Sequence, residues 1–141
     1  MGLLDAIKRA FGGPARPERE PAGKTAEEAE IAVLEVTVTE LLPALQHANG
    51  ESPLLLDCRE EFERRQSYIP GSLHIPMNSI PYRLAEVDHN REIIVYCAHG
   101  NRSYGVAGWL TQQGYRAASL KGGIADWQRS GGATQSGIRR G

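Results

Sequence analysis

The sequence has few of the residues that build cysteine-rich or metal-bound domains. Of its 141 residues only two are cysteines, Cys58 and Cys97. Two cysteines are too few for a disulfide framework and, without a matching histidine pattern, too few for a tetrahedral zinc site. We therefore expect no metal and no disulfide scaffold. Thiols used this sparingly fit a reducing, intracellular setting, so we predict a cytoplasmic protein.

The sequence also has no large excess of positive or negative charge. Lysine and arginine number 16 and aspartate and glutamate 17, which leaves a formal net charge of -1. A nearly neutral molecule has no overall field with which to concentrate nucleic acid or anionic lipid. We expect no nucleic-acid partner, and any anion site must be local.

Long hydrophobic runs are missing as well. No stretch approaches the roughly 20 apolar residues needed to cross a bilayer, and Asp5 interrupts the apolar start before a signal-peptide core could form. Apolar residues recur at helical spacing within residues 3–11, which predicts a short amphipathic helix over residues 1–12. We expect it to dock on its own domain or fray. Contact with a membrane or a partner protein through residues 3–11 is the alternative that we favour less.

The rest of the chain divides by composition. Residues 13–30 are rich in Pro, Ala, Glu, Arg and Lys and predict a flexible linker. Residues 31–132 are long enough for one domain with its own core. The polar residues 133–141 predict a loose tail.

Within the domain, short apolar runs alternate with helical segments, which is typical of an α/β fold with a largely parallel sheet. A helix opened by Thr39 and containing Pro43 should follow the first strand, and a second helix should cover residues 103–113 and end at Gly114. The predicted strands cover residues 36–38, 54–56, 73–75, 93–96 and 117–120.

The most informative segment carries Cys97 from the end of a buried strand towards the start of a helix. In open α/β sheets, ligands bind at that carboxyl edge. Residues 97–102, with Gly100 in the middle, can curl so that backbone N–H groups and the positive end of the helix face inward. Such a cradle would favour the thiolate of Cys97 and make it a nucleophile. Arg102 adds a charge with planar donors that suit sulfonate, sulfate or phosphate oxygens.

We therefore predict Cys97 as the catalytic residue, although a lone core cysteine is more often an inert packing group. Cys58 is predicted to have that packing role, with a resolving thiol as the alternative. His99 could donate a proton or merely tune the pocket. The predicted substrate-binding residues are those of the loop and the helix start, namely Ala98, His99, Gly100, Asn101, Arg102 and Ser103.

Over residues 36–131 the chain resembles the single-domain rhodanese-like family. The resemblance is spread over several landmarks: Leu54 to Arg59, Tyr68 to Pro76, the Cys97 loop, Leu110 with Gly114 and Tyr115, and Leu120 to Ile124 with Trp127. It implies a three-layer α/β domain with a central, mostly parallel five-stranded sheet flanked by helices. It also places Asp57 and Arg59 beneath the active loop, where we expect them to support the structure rather than react. Arg64 departs from the family, which commonly has an aromatic there.

The resemblance further implies sulfur transfer through a persulfide on Cys97, with no metal or organic cofactor. The donor would be thiosulfate or a persulfide, and the acceptor cyanide or a small thiol, with a thioredoxin-like thiol protein as a further candidate. One rival is a phosphatase or arsenate reductase, but those enzymes use a longer loop than the four residues, Ala98 to Asn101, between Cys97 and Arg102. The other rival is a non-enzymatic binding or persulfide-carrier module, against which Cys97, Gly100 and Arg102 argue.

Overall fold

A computed structural model describes residues 32–46 and 52–137, and within this part five strands form one parallel sheet. The predicted helix over residues 1–12, the linker over 13–30 and residues 138–141 lie outside the described residues. The strand order is β1-β5-β4-β2-β3, and all four pairings are parallel. The strands are β1 (Leu34–Val36), β2 (Leu54–Asp57), β3 (Leu73–His74), β4 (Glu92–Tyr96) and β5 (Arg116–Leu120).

Helices cover both faces of the sheet. They are α1 (Val38–Gln46), α2 (Glu61–Gln66), α3 (Asn101–Gln112) and α4 (Gly123–Arg129), with 3-10 turns at Met77–Tyr82 and Leu84–Glu86. Side chains of β4 alternate between the two faces, as the pleat of a strand requires. Ile94 and Tyr96 pack with residues of α1 and α4, whereas Ile93 and Val95 pack with α3 and the 3-10 turns. The predicted fold class, a central parallel sheet flanked by helices, is confirmed.

The described helices also bear on membranes. In residues 32–46 and 52–137, none combines the length and the apolar content that spanning a bilayer requires.

The start of the domain differs from the prediction by two residues. The first strand is β1 (Leu34–Val36) rather than residues 36–38, and Thr37 rather than Thr39 caps α1. The Thr37 hydroxyl accepts from the Glu40 amide at 3.2 Å, and the Glu40 carboxylate accepts from the Thr37 amide at 2.9 Å. This reciprocal capping box stabilises the helix from Val38 onward and ends the strand early.

Hydrogen bonds tie residues 133–137 to the domain, in the segment for which we predicted a loose tail. Tyr68 and Gln135 exchange backbone hydrogen bonds of 2.8 and 2.9 Å, and the Gly137 amide donates to the Arg65 carbonyl at 3.0 Å. The indole N–H of Trp127 donates to the Ala133 carbonyl at 2.8 Å. Polar composition suggested solvent exposure, but backbone pairing of this kind does not depend on apolar side chains.

Candidate active site

Cys97 lies one residue beyond β4, the central strand of the sheet. The parallel pairing of β2 with β4 ends at Asp57 and Tyr96, and α3 begins at Asn101. The thiol therefore lies at the carboxyl edge of the sheet, within a short turn between a buried strand and a helix. This is the position that the sequence predicted.

Backbone amides point at the Cys97 sulfur. The Gly100 N–H lies 3.1 Å from the Sγ atom and the Ser103 N–H 3.3 Å, while the Ser103 hydroxyl lies 3.5 Å away. Gly100 adopts a left-handed conformation with φ of 105°, which a residue with a Cβ rarely adopts. A Cβ there would also lie 3.2 Å from the Gly122 amide nitrogen. Glycine thus allows the loop to turn an N–H towards the sulfur.

The buried thiol of Cys58 influences the ionisation of Cys97. The interaction with Cys58, together with the bonds from Ser103 and Gly100, outweighs the effect of burial and lowers the pKa of Cys97 to about 4. The same interaction, together with burial, raises the pKa of Cys58 above its ordinary range. In the resting protein Cys58 is therefore protonated while Cys97 is a thiolate.

The turn at Gly122 and Gly123 supports the loop from behind. The Ile124 amide donates to the Cys97 carbonyl at 2.9 Å, and the Ala125 amide donates to the Ala98 carbonyl at 3.1 Å. A Cβ on Gly123 would lie 2.4 Å from the Cys97 carbonyl oxygen, closer than any side chain permits. The sequence predicted a tight turn here, and the structure adds that this turn fixes the backbone of the loop.

Arg102 is bound to a carboxylate that the sequence analysis missed. Its guanidinium donates to both carboxylate oxygens of Glu63, at 2.8 and 2.9 Å. These bonds lower the pKa of Glu63 to about 2 and raise that of Arg102. A guanidinium carries five N–H donors, so the pairing with Glu63 leaves others for an anion. Glu63 lies on α2 and could be placed beside Arg102 only once the packing of α2 was known.

Asp57 and Arg59 form a buried ion pair at the end of β2. Arg59 donates to Asp57 through its backbone amide at 3.0 Å and through its guanidinium at 2.9 Å. Burial opposes ionisation, but the bonds from Arg59 outweigh it and lower the pKa of Asp57. The Tyr96 hydroxyl donates to the same carboxylate at 3.1 Å and so links β2 to β4. Arg64, the departure from the family pattern, donates to Asp57 at 3.2 Å and stacks on Tyr68.

The remaining predicted loop residues are Ala98, His99 and Asn101. Ala98 is half-buried and is held through its carbonyl, whereas His99 and Asn101 are exposed. The structure thus brings Gly100 and Ser103 to Cys97, and brings Arg102 to Glu63. His99 and Asn101 lie at the surface of the loop.

Comparison with known proteins agrees with this geometry. The model of the rhodanese-like domain matches residues 39–130. A sulfurtransferase of Allochromatium vinosum is 44% identical over 85 residues, which cover 60% of this chain and 79% of that protein. The thiosulfate sulfurtransferase GlpE of Glaesserella parasuis is 35% identical over 100 residues, which cover 69% of this chain and 93% of that protein.

A solved structure of a related protein has a similar fold. The rhodanese-related protein of Thermoplasma volcanium superposes with a TM-score of 0.66 at 26% identity, over 72% of this chain and 97% of that one. The match to the domain model covers well over half of the chain. The chain belongs to the rhodanese-like domain family.

Proposed function

We propose that this protein is a sulfurtransferase that carries sulfane sulfur as a persulfide on Cys97. The names of its relatives support sulfur transfer of the rhodanese type in general. The observation that carries the finer proposal is the pair of backbone amides, from Gly100 and Ser103, directed at the Cys97 sulfur. A packing cysteine has no need of such donors, whereas a nucleophilic thiolate does.

In the first step the Cys97 thiolate attacks the outer sulfur of the donor. With thiosulfate, a bond forms between Cys97 Sγ and the outer sulfur, and the S–S bond of thiosulfate breaks with its electron pair leaving on sulfite. Arg102 has donors left beyond those used by Glu63, and these suit the sulfonate oxygens of the departing group. Cys97 is left as a persulfide.

In the second step an acceptor takes the outer sulfur. Cyanide attacks it to give thiocyanate, or a thiolate attacks it to give a new persulfide, and the electron pair returns to Cys97 Sγ. The amides of Gly100 and Ser103 stabilise the thiolate as it leaves. Small thiols suit this step, and a thioredoxin-like protein is a further candidate acceptor.

The size of the site favours sulfur over phosphate as the transferred group. Cys97 is only 1% exposed, so a slender sulfane sulfur reaches it more easily than a tetrahedral phosphoryl group. The Gly100 and Ser103 amides already contact the sulfur itself, within a loop of four residues between Cys97 and Arg102. A phosphatase loop instead needs room and donors for three phosphate oxygens beyond the thiolate.

Steady-state thiosulfate:cyanide kinetics test the proposal. Cys97→Ser should abolish thiocyanate formation, and Arg102→Ala should raise the KM for thiosulfate. Arg83→Ala is the matched control, because Arg83 pairs with Glu86 in an exposed ion pair on a 3-10 segment. Turnover by the Cys97→Ser variant at the wild-type rate would refute the role of Cys97, and an unchanged KM in Arg102→Ala would refute anion binding by Arg102.

A further inference from the structure

The two cysteines follow neighbouring strands in register. Pairing of β2 with β4 joins Leu56 to Val95 and then Asp57 to Tyr96. The Cys58 amide donates to the Tyr96 carbonyl at 3.1 Å, which continues the ladder by one residue and places Cys58 beside Cys97. Neighbouring strands lie about 4.7–4.9 Å apart, and disulfides join Cα atoms that are about 4.4–6.8 Å apart.

The two side chains also lie on the same face of the sheet. Leu56 and Val95, two residues earlier on each strand, belong to the same apolar cluster as Cys58 and Cys97. Side chains two residues apart on a strand share a face. Both thiols are free and buried, and each shifts the pKa of the other.

The approach direction follows from burial. Cys58 is completely buried, so a donor from solvent reaches Cys97 from the side away from Cys58. The outer sulfur of a persulfide on Cys97 would then point away from Cys58. Displacement at sulfur proceeds with the attacking and leaving atoms in line, and such an orientation would suit attack by Cys58 on Cys97 Sγ.

We propose that Cys58 is a second reacting thiol, which attacks Cys97 Sγ in the persulfide and releases the outer sulfur as hydrosulfide. A bond forms between Cys58 Sγ and Cys97 Sγ, and the bond from Cys97 Sγ to the outer sulfur breaks with its electron pair on the outer sulfur. The outer sulfur leaves as HS⁻, and the proton that Cys58 gives up balances the one that HS⁻ carries. The sulfane sulfur is reduced, the two cysteines are oxidised to a disulfide, and an external dithiol then restores both thiols.

This inference rests on the proposed function, because the persulfide is its starting point. It adds a second outcome to the cycle. With cyanide present the outer sulfur is transferred intact, whereas without an acceptor it leaves as hydrosulfide at the expense of an external dithiol. The acceptor and Cys58 therefore compete for the same persulfide.

The test is a single loading with thiosulfate under anaerobic conditions, followed by gel filtration and incubation without acceptor. Intact mass under non-reducing conditions and a bimane assay for hydrosulfide are followed in time. In the wild-type protein the gain of one sulfur atom should give way to the loss of two hydrogen atoms, with one hydrosulfide released per disulfide. Tryptic peptides should locate the bridge between Cys58 and Cys97.

The variants Cys58→Ser and Cys58→Ala share only the missing thiol, so both should keep the added sulfur and release no hydrosulfide. If the wild-type persulfide persists as long as theirs, the inference is refuted while the proposed function stands. A disulfide that forms without hydrosulfide, or in protein never exposed to thiosulfate, refutes it too. If no form of the protein gains sulfur, the proposed function fails and this inference fails with it.

Discussion

The interaction of Cys58 with Cys97 makes a quantitative prediction about the ionisation of the reactive thiol. Replacing Cys58 with alanine removes a possible hydrogen-bond donor, whereas serine keeps an O–H in its place. A hydrogen bond to a charged group is worth about 1.5–3 kcal/mol, and one pKa unit corresponds to about 1.4 kcal/mol. From a wild-type pKa of about 4, Cys58→Ala should therefore raise the pKa of Cys97 to between about 5 and 6. Cys58→Ser should stay near the wild type.

The sign of the pH dependence follows directly. A lowered pKa means that Cys97 is a thiolate at every pH above that value, so its alkylation rate should be flat from about pH 5.5 to pH 8 in the wild type. An ordinary thiol with a pKa of about 8.5 would instead gain rate about tenfold per pH unit over that range. In Cys58→Ala the rate should begin to fall between about pH 7 and pH 6, about one pH unit above its pKa.

The assay is the second-order rate of iodoacetamide labelling, read from the tryptic peptide that contains Cys97. Cys58 lies on a different tryptic peptide, so the two thiols are scored separately. Circular dichroism at each pH checks that the variants remain folded. A wild-type rate that climbs like that of an ordinary thiol, or an alanine profile that matches the wild type, would refute the role given to these donors.

Two further predictions concern the framework of the site. Gly123→Ala should reduce transferase activity strongly, since its Cβ would lie 2.4 Å from the Cys97 carbonyl oxygen. Gly131→Ala is the control, because the space around Gly131 is open although its φ is also positive. Equal activity of the two variants would contradict the stated role of the Gly123 contact. Arg59→Ala should lower the free energy of unfolding in urea by about 3–5 kcal/mol because it leaves the buried Asp57 carboxylate without its main partner. The exposed Arg83→Ala should leave it close to the wild-type value, and similar losses in the two would contradict the structural role of the buried pair.

Local features of the site could be predicted from the sequence because they depend on neighbouring residues. The apolar run before Cys97, Gly100 within the turn and the helix that follows together predicted the strand, the loop and the direction of the amides. The parallel sheet also followed from the alternation of apolar runs and helical segments. These signals lie within a few residues of one another, so no long-range packing had to be known.

What the sequence did not reveal depends on contacts between distant segments. Glu63 meets Arg102 only because α2 packs near the start of α3. The contact of Cys58 with Cys97 requires both the adjacency of β2 and β4 and their register, and a shift by one residue would place the thiols on opposite faces. The hydrogen bonds between Gln135 and Tyr68 join backbone atoms, so the side-chain composition does not predict them. Each of these residues is also common as a plain surface or core residue, so the sequence alone does not indicate the contact.

Intact-protein mass spectrometry after thiosulfate and then cyanide tests the central claim most directly, namely that Cys97 is a thiolate that accepts and returns a single sulfur atom. The account predicts that the protein gains one sulfur atom on Cys97 when thiosulfate is added, loses it when cyanide follows, and gains none in the Cys97→Ser variant. A wild-type protein that takes up no sulfur, or a Cys97→Ser variant that takes it up equally, would contradict the account.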